Sequence, residues 1–431
     1  MKKVIFTLMG ALSLGFTAQA QWMADSVLMG AGSVNDVFYS LQNGTVKTEN
    51  NKNWHLAFSM SPSDSASIWA NHNASNNFVK VYNIHKGSAD WSTVSLADTA
   101  AAMLCYNNDK GWYQGALNAL PRSSVFSFGW GTYDMVSHNV FGDSLFIIKA
   151  NNVFYKVAID SLQSMPMNYF IRVENLTTPG ATVVDTIMKG TTYSSSIFAY
   201  YNLATGSDSV REPAANTWDL VFNRYNSFVD QGSGPIPYSV VGALSNKGIK
   251  VAKANGVHVD TAFVHYGDYV MPWPIDSTMI SAVGYDWKSF TPPGPWIVPD
   301  SISYFINDKS GSLYQMQFTG YNGSGAGIIY LRKRMVVPVA VTDIHSSIST
   351  YEFFPNPAQN EINITLESKQ VSEAKVSLTA ISGQQVFANT IQLHSGLNAY
   401  TLPVNTIPAG NYILSLKGTH IGINEIITIK H

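Results

Sequence analysis

The sequence of 431 residues repeats one order of strand-like segments, and this internal repeat constrains the fold more than any single motif does. Three pairs of segments match in the same order, namely 25–30 with 185–190, 37–41 with 197–201, and 53–58 with 217–222. A looser pair, 129–134 with 284–287, follows in both copies. After it, each copy continues with a strand, a polar turn and a return strand. A shared order of this length indicates a duplication.

The repeat predicts how the chain divides into domains. Segments 53–58 and 217–222 alternate apolar and polar residues, as half-buried strands do. Residues 177–180 (TTPG) form a short linker between the copies. We therefore predict two tandem homologous β-domains, 21–177 and 183–338. The alternative is two unrelated β-domains that share only a generic alternation of strands and turns.

Composition supports a fold built from strands. Only 13% of the residues are charged, compared with about 25% in average soluble proteins. The polar surface must then come from Ser, Thr, Asn and Gly, which favour strands and turns over helices. Short alternating runs over 350–431 predict a small immunoglobulin-like β-sandwich. The predicted fold class is all-β, with two tandem homologous antiparallel β-domains followed by this sandwich.

The N-terminus has the three parts of a secretory signal peptide. Lys2 and Lys3 precede an apolar run over 4–16, and the small residues Ala18 and Ala20 fit a cleavage site before residue 21. The apolar run is shorter than the ~20 residues that a membrane-spanning helix needs. We predict a signal peptide over 1–20 and no transmembrane helix in the mature chain.

Charge and cysteine content exclude several classes of protein. The formal net charge is −2 and the longest basic run is 332–334, so the sequence offers no footprint for a phosphate backbone and predicts no nucleic-acid partner. The single cysteine, Cys105, excludes an internal disulfide and cysteine-rich metal sites. Because it lies in an apolar run, we expect Cys105 to be a small core residue.

The last 80 residues or so resemble the type A C-terminal sorting domain of type IX secretion cargo. The resemblance is carried by residues 354–358 (FPNPA), 382–386 (SGQQV), 407–412 (IPAGNY) and the terminal 429–430. The motif positions are Pro355, Asn356, Pro357, Gly383, Pro408, Gly410 and Tyr412. The resemblance implies handling by the type IX secretion machinery and a secreted or cell-surface location. The alternative is an ordinary immunoglobulin-like tail with a binding role.

The duplicated part resembles the HmuY-like haem-binding family, whose members are all-β haemophores. The resemblance is carried by residues 218–225 (WDLVFNRY), 284–288 (GYDWK) and 311–318 (GSLYQMQF), and the second copy matches better than the first. In the first copy, His55 replaces Asp219. The resemblance implies haem as a cofactor and haem or a haem protein as a partner.

Axial ligands for haem are His or Met side chains in an apolar slot. In the second copy the interval that carries ligands in the family contains His258, His265, Met271 and Met279, which are the candidate cofactor-binding residues. The corresponding interval of the first copy contains His72, His85 and Met103. Each histidine could instead be a hydrogen-bonded surface residue, and each methionine could fill a gap in the core.

The sequence contains no motif that indicates catalysis. It has no His-Glu-x-x-His, Gly-x-Ser-x-Gly, P-loop or Rossmann pattern, so we predict no catalytic residues, no metal site and no enzyme activity. The predicted function is a secreted or cell-surface ligand-binding protein, with haem as the leading ligand. The alternative is a structural or adhesive surface protein that does not bind haem, and an enzyme acting on glycans ranks third.

Overall fold

A computed structural model of the chain describes residues 21–61, 66–72, 78–119, 125–337, 348–380, 384–418 and 421–431. The predicted signal peptide therefore lies outside the described residues. The chain forms two compact units, of which one covers Trp22–Pro338 and the other includes Val339–His431. Both are built from antiparallel strands, which confirms the predicted all-β class. None of the helices in the described ranges is long and apolar enough to cross a membrane.

Among the described residues, the first unit contains 23 strands. The first twelve are β1 (Met23–Leu28), β2 (Asn35–Ser40), β3 (Gly44–Asn50), β4 (Leu56–Ser59), β5 (Ile68–Ala70), β6 (Val79–Asn83), β7 (Met103–Cys105), β8 (Gly131–Tyr133), β9 (Val140–Gly142), β10 (Leu145–Ala150), β11 (Val153–Gln163) and β12 (Asn168–Asn175). The others are β13 (Val183–Met188), β14 (Phe198–Asn202), β15 (Ser207–Ser209), β16 (Leu220–Asp230), β17 (Pro235–Ser245), β18 (Lys250–Asn255), β19 (Ser289–Phe290), β20 (Trp296–Ile297), β21 (Ile302–Asn307), β22 (Leu313–Tyr321) and β23 (Ile328–Val337). Its helices are α1 (Val259–Val264), α2 (Gly267–Val270) and α3 (Gly323–Ala326), with 3₁₀ turns at Ser88–Thr93, Leu96–Ala100 and Ala116–Asn118.

These strands form two lobes, and no sheet is shared between them. Lobe A, residues 54–209, holds an eight-stranded sheet of β6 to β13 and a four-stranded sheet in the order β15-β14-β4-β5. Lobe B, residues 22–51 and 211–337, holds a five-stranded sheet in the order β1-β23-β22-β21-β18. It also holds a four-stranded sheet, β17-β16-β2-β3, and the small pair β19-β20. Each lobe has its own apolar core.

The two predicted repeats exchange their first strands. Strands β1 to β3 of the first repeat lie in the sheets of lobe B, where β1 pairs with β23 and β2 pairs with β16. In return, β13 and β14 of the second repeat lie in lobe A, where they pair with β12 and β4. The boundary between lobes near residue 210 therefore differs from the predicted linker at 177–180. The division into tandem domains 21–177 and 183–338 stays a prediction.

The structure matches Tyr39 with Tyr201, because Tyr39 lies opposite Leu220 and Tyr201 lies opposite Leu56. The predicted match of 37–41 with 197–201 is therefore wrong by two residues. Tyr39 donates from its hydroxyl to Asp25 at 2.7 Å, and Tyr201 donates to Asp185 at 2.9 Å. In both cases the other carboxylate oxygen accepts the next backbone N–H at 2.7 Å. In each repeat, the first aspartate thus accepts a hydrogen bond from a tyrosine of the next strand.

The replacement of Asp219 by His55 preserves a contact between the repeats. Asp219 accepts the backbone N–H of Leu41 at 2.7 Å, and the Nδ1 atom of His55 accepts the backbone N–H of Leu203 at 3.0 Å. Burial lowers the pKa of His55 to about 4, so its ring stays neutral and can accept this bond. Both residues therefore stabilise the exchanged strands.

Strand β4 and the first part of β16, residues 220–223, are buried on both faces, so the prediction that 53–58 and 217–222 form half-buried strands was wrong. Leu220 and Phe222 of β16 enter the core of lobe B, while Val221 between them enters a second apolar layer. This interlobe layer also contains Phe38, Trp54, Trp69, Phe198, Tyr200, Trp218 and Tyr225. The alternation correctly indicates a strand, but the face expected to meet solvent is covered by the other lobe.

The second unit is a sandwich of two sheets, as predicted. Its strands are β24 (Ile348–Phe354), β25 (Glu361–Ser368), β26 (Ser372–Ala380), β27 (Gln385–Leu393), β28 (Gly396–Pro403), β29 (Gly410–Gly418) and β30 (Ile421–Ile429). The three-stranded sheet is ordered β24-β25-β28 and the four-stranded sheet β27-β26-β29-β30. Their inner faces share one apolar core.

Candidate ligand-binding site

The candidate haem ligands lie on one long connection of lobe B. We call residues 256–288, between β18 and β19, the cap segment; it contains α1 and α2. The helices pack through Ala262, Tyr266 and Val270 onto Ala252 of β18 and Phe305 of β21. This packing fixes one face of the cap segment and leaves the other in solvent.

His258 and His265 lie at the two ends of α1. His258 is the N-cap residue, and its Nδ1 atom accepts the backbone N–H of Asp260 at 3.3 Å. Its side chain is 67% exposed. His265 is the C-cap residue and is also exposed, and none of the contacts in the described ranges engages its ring. Of the two imidazole rings, that of His265 is therefore the one without a hydrogen bond in the described ranges.

Exposed apolar side chains accompany His265. Val264 is 63% exposed, Met271 is 56% exposed and Ile275 is completely exposed. Trp273 packs at the edge of the helix core, with the Lys250 ammonium 5.9 Å from the centre of its ring. An exposed apolar patch of this kind, beside a cation, indicates an interaction site.

Met279 lies elsewhere, in a cleft of about 570 Å³. The cleft is lined by Asp109, Lys110, Tyr225, Ser227, Phe228, Val251, Ala252, Lys253, Pro274, Asp276, Met279, Ser281, Ala282, Gly284, Tyr285 and Asp286. Along β18, Ala252 faces the helices of the cap segment, whereas Lys253 points to the other face, towards Asp286 and the ring of Tyr304. The lining of this cleft includes Met279 but not His258, His265 or Met271, so the four candidate ligands do not line one site.

The first-repeat histidines have different surroundings. The Nδ1 atom of His72 lies 3.2 Å from the backbone oxygen of Val79, and burial lowers the pKa of His72 to about 4. His85 follows β6, where its backbone N–H donates to Asn83. In the described ranges, no group of three or more His, Cys, Asp or Glu side chains is placed to hold a metal ion. Cys105 is a buried free thiol whose pKa is raised to about 11 by burial.

A buried polar cluster that sequence reasoning missed lies in the interlobe layer. Arg211 is only 2% exposed and donates to the Asp36 carboxylate at 3.0 Å. Its guanidinium also lies 5.0 Å from the ring centre of Tyr200. Next to it, Glu212 accepts the backbone N–H of Phe198 at 2.7 Å. Burial raises the pKa of Glu212 to about 8, and burial also raises the pKa of Asp36, against the opposing effect of the Arg211 guanidinium.

The sorting-motif residues gather where the second unit begins and ends. Pro355 and Pro357 line a surface groove together with Lys430. Tyr412 donates from its hydroxyl to the backbone oxygen of Pro408 at 2.7 Å, and Gly410 begins β29. Gly383 lies outside the described residues.

Asn356 ties the start of the motif to the last strand. Its amide donates to the backbone oxygen of Ile426 at 2.8 Å and accepts the backbone N–H of Thr428 at 2.9 Å. We expect Asn356→Ala to cost about 1 kcal/mol locally and to speed amide exchange in β30 by about fivefold. Hydrogen exchange followed by mass spectrometry measures this, with the exposed Gln359→Ala as the matched control. Equal exchange in the two variants would contradict the assigned role.

The fold defines an all-β protein with a two-lobed body and a C-terminal β-sandwich. Residues 352–430 match the family model described as the secretion system C-terminal sorting domain, and residues 194–331 match the model described as HmuY protein. Both resemblances are therefore confirmed. The chain is exported by type IX secretion to the cell surface or the medium. The HmuY match begins before β14 and ends in β23, so it covers parts of both lobes.

Other comparisons add little. No curated protein matches this chain. Among solved structures, the crystal structure of dimeric latent PorU from Porphyromonas gingivalis aligns at 8% identity and a TM-score of 0.17. The alignment covers 84% of this chain and 31% of that one. This similarity is too low to support a shared fold.

Proposed function

We propose that this exported protein captures haem on the solvent face of the cap segment, with His265 as an axial ligand and without catalysis. The observation that carries the proposal is an exposed imidazole, free of other contacts in the described ranges, on the same segment as several exposed apolar side chains. Both lie within the residues that match the HmuY family model.

The patch has the amphipathic character that haem requires. The porphyrin is apolar, and Val264, Met271 and Ile275 offer exposed apolar contact on the cap segment. Its propionates are anionic, and Lys250 beside Trp273 is an available cation. Bound haem would supply an iron that accepts one or two axial ligands. Met271, at the end of α2, is the candidate for the second ligand, and burial of the porphyrin would cover surface that is otherwise exposed.

A haem titration of the full chain, followed at the Soret band, separates the candidate ligands. We expect His265→Ala to weaken binding by about 100-fold or more, because the axial bond is lost. His258→Ala removes an imidazole from the same helix and is the matched control; we expect it to change the Kd by less than about threefold because His258 caps α1. Met279→Ala should leave the titration unchanged because Met279 lies in the separate cleft.

Two results would contradict the proposal. A Soret shift that survives in His265→Ala and disappears in Met279→Ala would move the haem to the cleft. A flat titration of the unsubstituted chain would remove haem as the ligand and leave an adhesive or structural surface protein as the working hypothesis.

A further inference from the structure

The cleft that contains Met279 has features that haem capture on the cap segment does not use. We propose that this cleft binds a neutral, hydroxyl-rich ligand, an oligosaccharide, with Tyr225, Asp109 and Phe228 as its main contacts. This inference is independent of the proposed haem site.

Tyr225 supplies the observation that points to a ligand. The side chain is 3% exposed and lines the cleft, and its hydroxyl has no hydrogen-bond partner among the described residues. Burial raises the pKa of this phenol well above its usual value, so it stays a donor. A buried hydroxyl without a partner costs stability, and a ligand oxygen in the cleft would satisfy it.

A close backbone contact positions the opposite wall. Gly242 of β17 and Gly284 approach so closely that a Cβ atom on Gly242 would lie 2.3 Å from the Gly284 oxygen. Ala243 and Gly284 exchange backbone hydrogen bonds of 3.0 and 3.1 Å. This contact places Tyr285 and Asp286 in the lining of the cleft, where Tyr285 lies next to Ser227 of β16. The Gly-Tyr-Asp-Trp segment of the second repeat therefore shapes the cleft.

The charged groups of the cleft nearly balance. Asp286 pairs with Lys253 at 2.7 Å, and Asp109 accepts a hydrogen bond from the Ser227 hydroxyl at 2.6 Å. Carboxylates accept several hydrogen bonds and ammonium groups donate several, so both can bind the hydroxyls of a neutral ligand. The lysines would repel a cationic ligand and the aspartates would repel an anionic one, so the charges of the cleft favour neither kind of charged ligand.

A second cleft extends the first beyond Phe228. This neighbouring cleft, of about 490 Å³, shares Phe228 with the first and adds Tyr106, Tyr113, Asn108 and Gln114. Phe228 and Tyr113 are 48% and 46% exposed, and the ring of Tyr106 lies edge-on to that of Phe228, with the ring centroids 6.2 Å apart. Exposed aromatic faces flanked by amides and carboxylates suit sugar rings, which present apolar C–H faces and polar edges. Two adjoining clefts therefore suit an oligosaccharide better than they suit a monosaccharide.

Calorimetric titration of the full chain with maltohexaose, cellohexaose and chitohexaose tests the proposal. We expect at least one of the three hexasaccharides to bind. Phe228→Ala and Asp109→Asn should each weaken its affinity by about tenfold, and Tyr225→Phe should weaken it by about fivefold. Asp109→Asn keeps an oxygen that can accept from Ser227, so the loop should be preserved. Tyr225→Phe should leave the thermal midpoint unchanged or raised because it removes an unpartnered buried hydroxyl, a combination that a merely structural tyrosine would not show.

Controls separate this site from the haem site and from a charged ligand. His265→Ala should keep oligosaccharide binding, and Phe228→Ala should keep the Soret titration, so either proposal can fail alone. Binding of none of the three hexasaccharides would overturn the inference. So would tight binding of spermine that is lost in Asp109→Asn, because it would identify a site for cations.

Discussion

Cutting the chain at residue 180 is expected to prevent both halves from folding alone, whereas the fragment 54–209 is expected to fold. Separation at 180 removes β13 to β15 from lobe A and β1 to β3 from lobe B. Lobe A then loses the buried side chains of Ile187, Ala199, Tyr201 and Leu203 among others. Burial of a large apolar side chain contributes about 1.5–3 kcal/mol, and a domain is stable by only about 5–15 kcal/mol. The loss is comparable with the whole stability.

Circular dichroism and thermal unfolding of three fragments measure this. Fragments 22–180 and 181–338 should lack a cooperative transition when separate and regain it when mixed, because each holds the strands that the other lacks. Fragment 54–209 contains both sheets of lobe A and should unfold cooperatively, though it exposes Trp54, Trp69 and Phe198 of the interlobe layer. Cooperative unfolding of isolated 22–180 would show that the first repeat folds without the exchange.

The second large effect is expected at the buried ion pair. Asp36→Ala leaves the Arg211 guanidinium in the interlobe layer without its carboxylate, and loss of one partner of a buried pair costs about 3–5 kcal/mol. Urea unfolding of the full chain measures the difference. The exposed Asp276→Ala is the control and should change the free energy of unfolding by less than about 0.5 kcal/mol. A similar small change in Asp36→Ala would show that solvent reaches Arg211.

Glu212 beside this pair should make stability depend on pH. Its pKa is about 8 in the folded chain, raised from 4.5 by burial, so the folded state holds a proton that the unfolded state releases. The resulting stabilisation is complete below about pH 4.5 and is lost as pH rises to about 8. Glu212→Gln should therefore flatten the pH dependence of the unfolding free energy between these values. An unchanged slope in Glu212→Gln would assign the dependence to another group.

The proposed haem site and the proposed oligosaccharide site both border strand β18. Its residue Ala252 packs against the helices of the cap segment and also lines the cleft, together with Lys253. A chain exported to the cell surface could hold both ligands at once, since no residue named as a main contact belongs to both sites.

Local sequence patterns of alternation and turns predicted many of the strands. The short alternating runs over 350–431 correctly predicted the strands and the two-sheet sandwich that the described part of the second unit forms. The alternation around Trp54 and Trp218 correctly placed strands β4 and β16. Their burial on both faces could not be predicted, because a half-buried pattern does not reveal what covers the second face.

The candidate sites show the same limit. His265 was a candidate ligand in the sequence because imidazole is a common axial ligand of haem, whereas the exposure of its ring and its lack of contacts in the described ranges appear only in the fold. Asp109 and Tyr225 were missed since nothing in their neighbouring residues marks them. Asp109 and Ser227, which meet in the cleft, are 118 residues apart in sequence, and Arg211 and Asp36 are 175 apart.

The sequence by itself determined the all-β class and the C-terminal sorting module, because these depend on local alternation, turns and short motifs. Only the tertiary structure decided which strands pair, since the edge of an antiparallel sheet accepts a matching strand from any part of the chain. It also decided that Met279 lines a cleft that the other predicted ligands do not line, and that a tyrosine, an aspartate and a phenylalanine converge in that cleft. Such convergence depends on contacts between residues far apart in the chain.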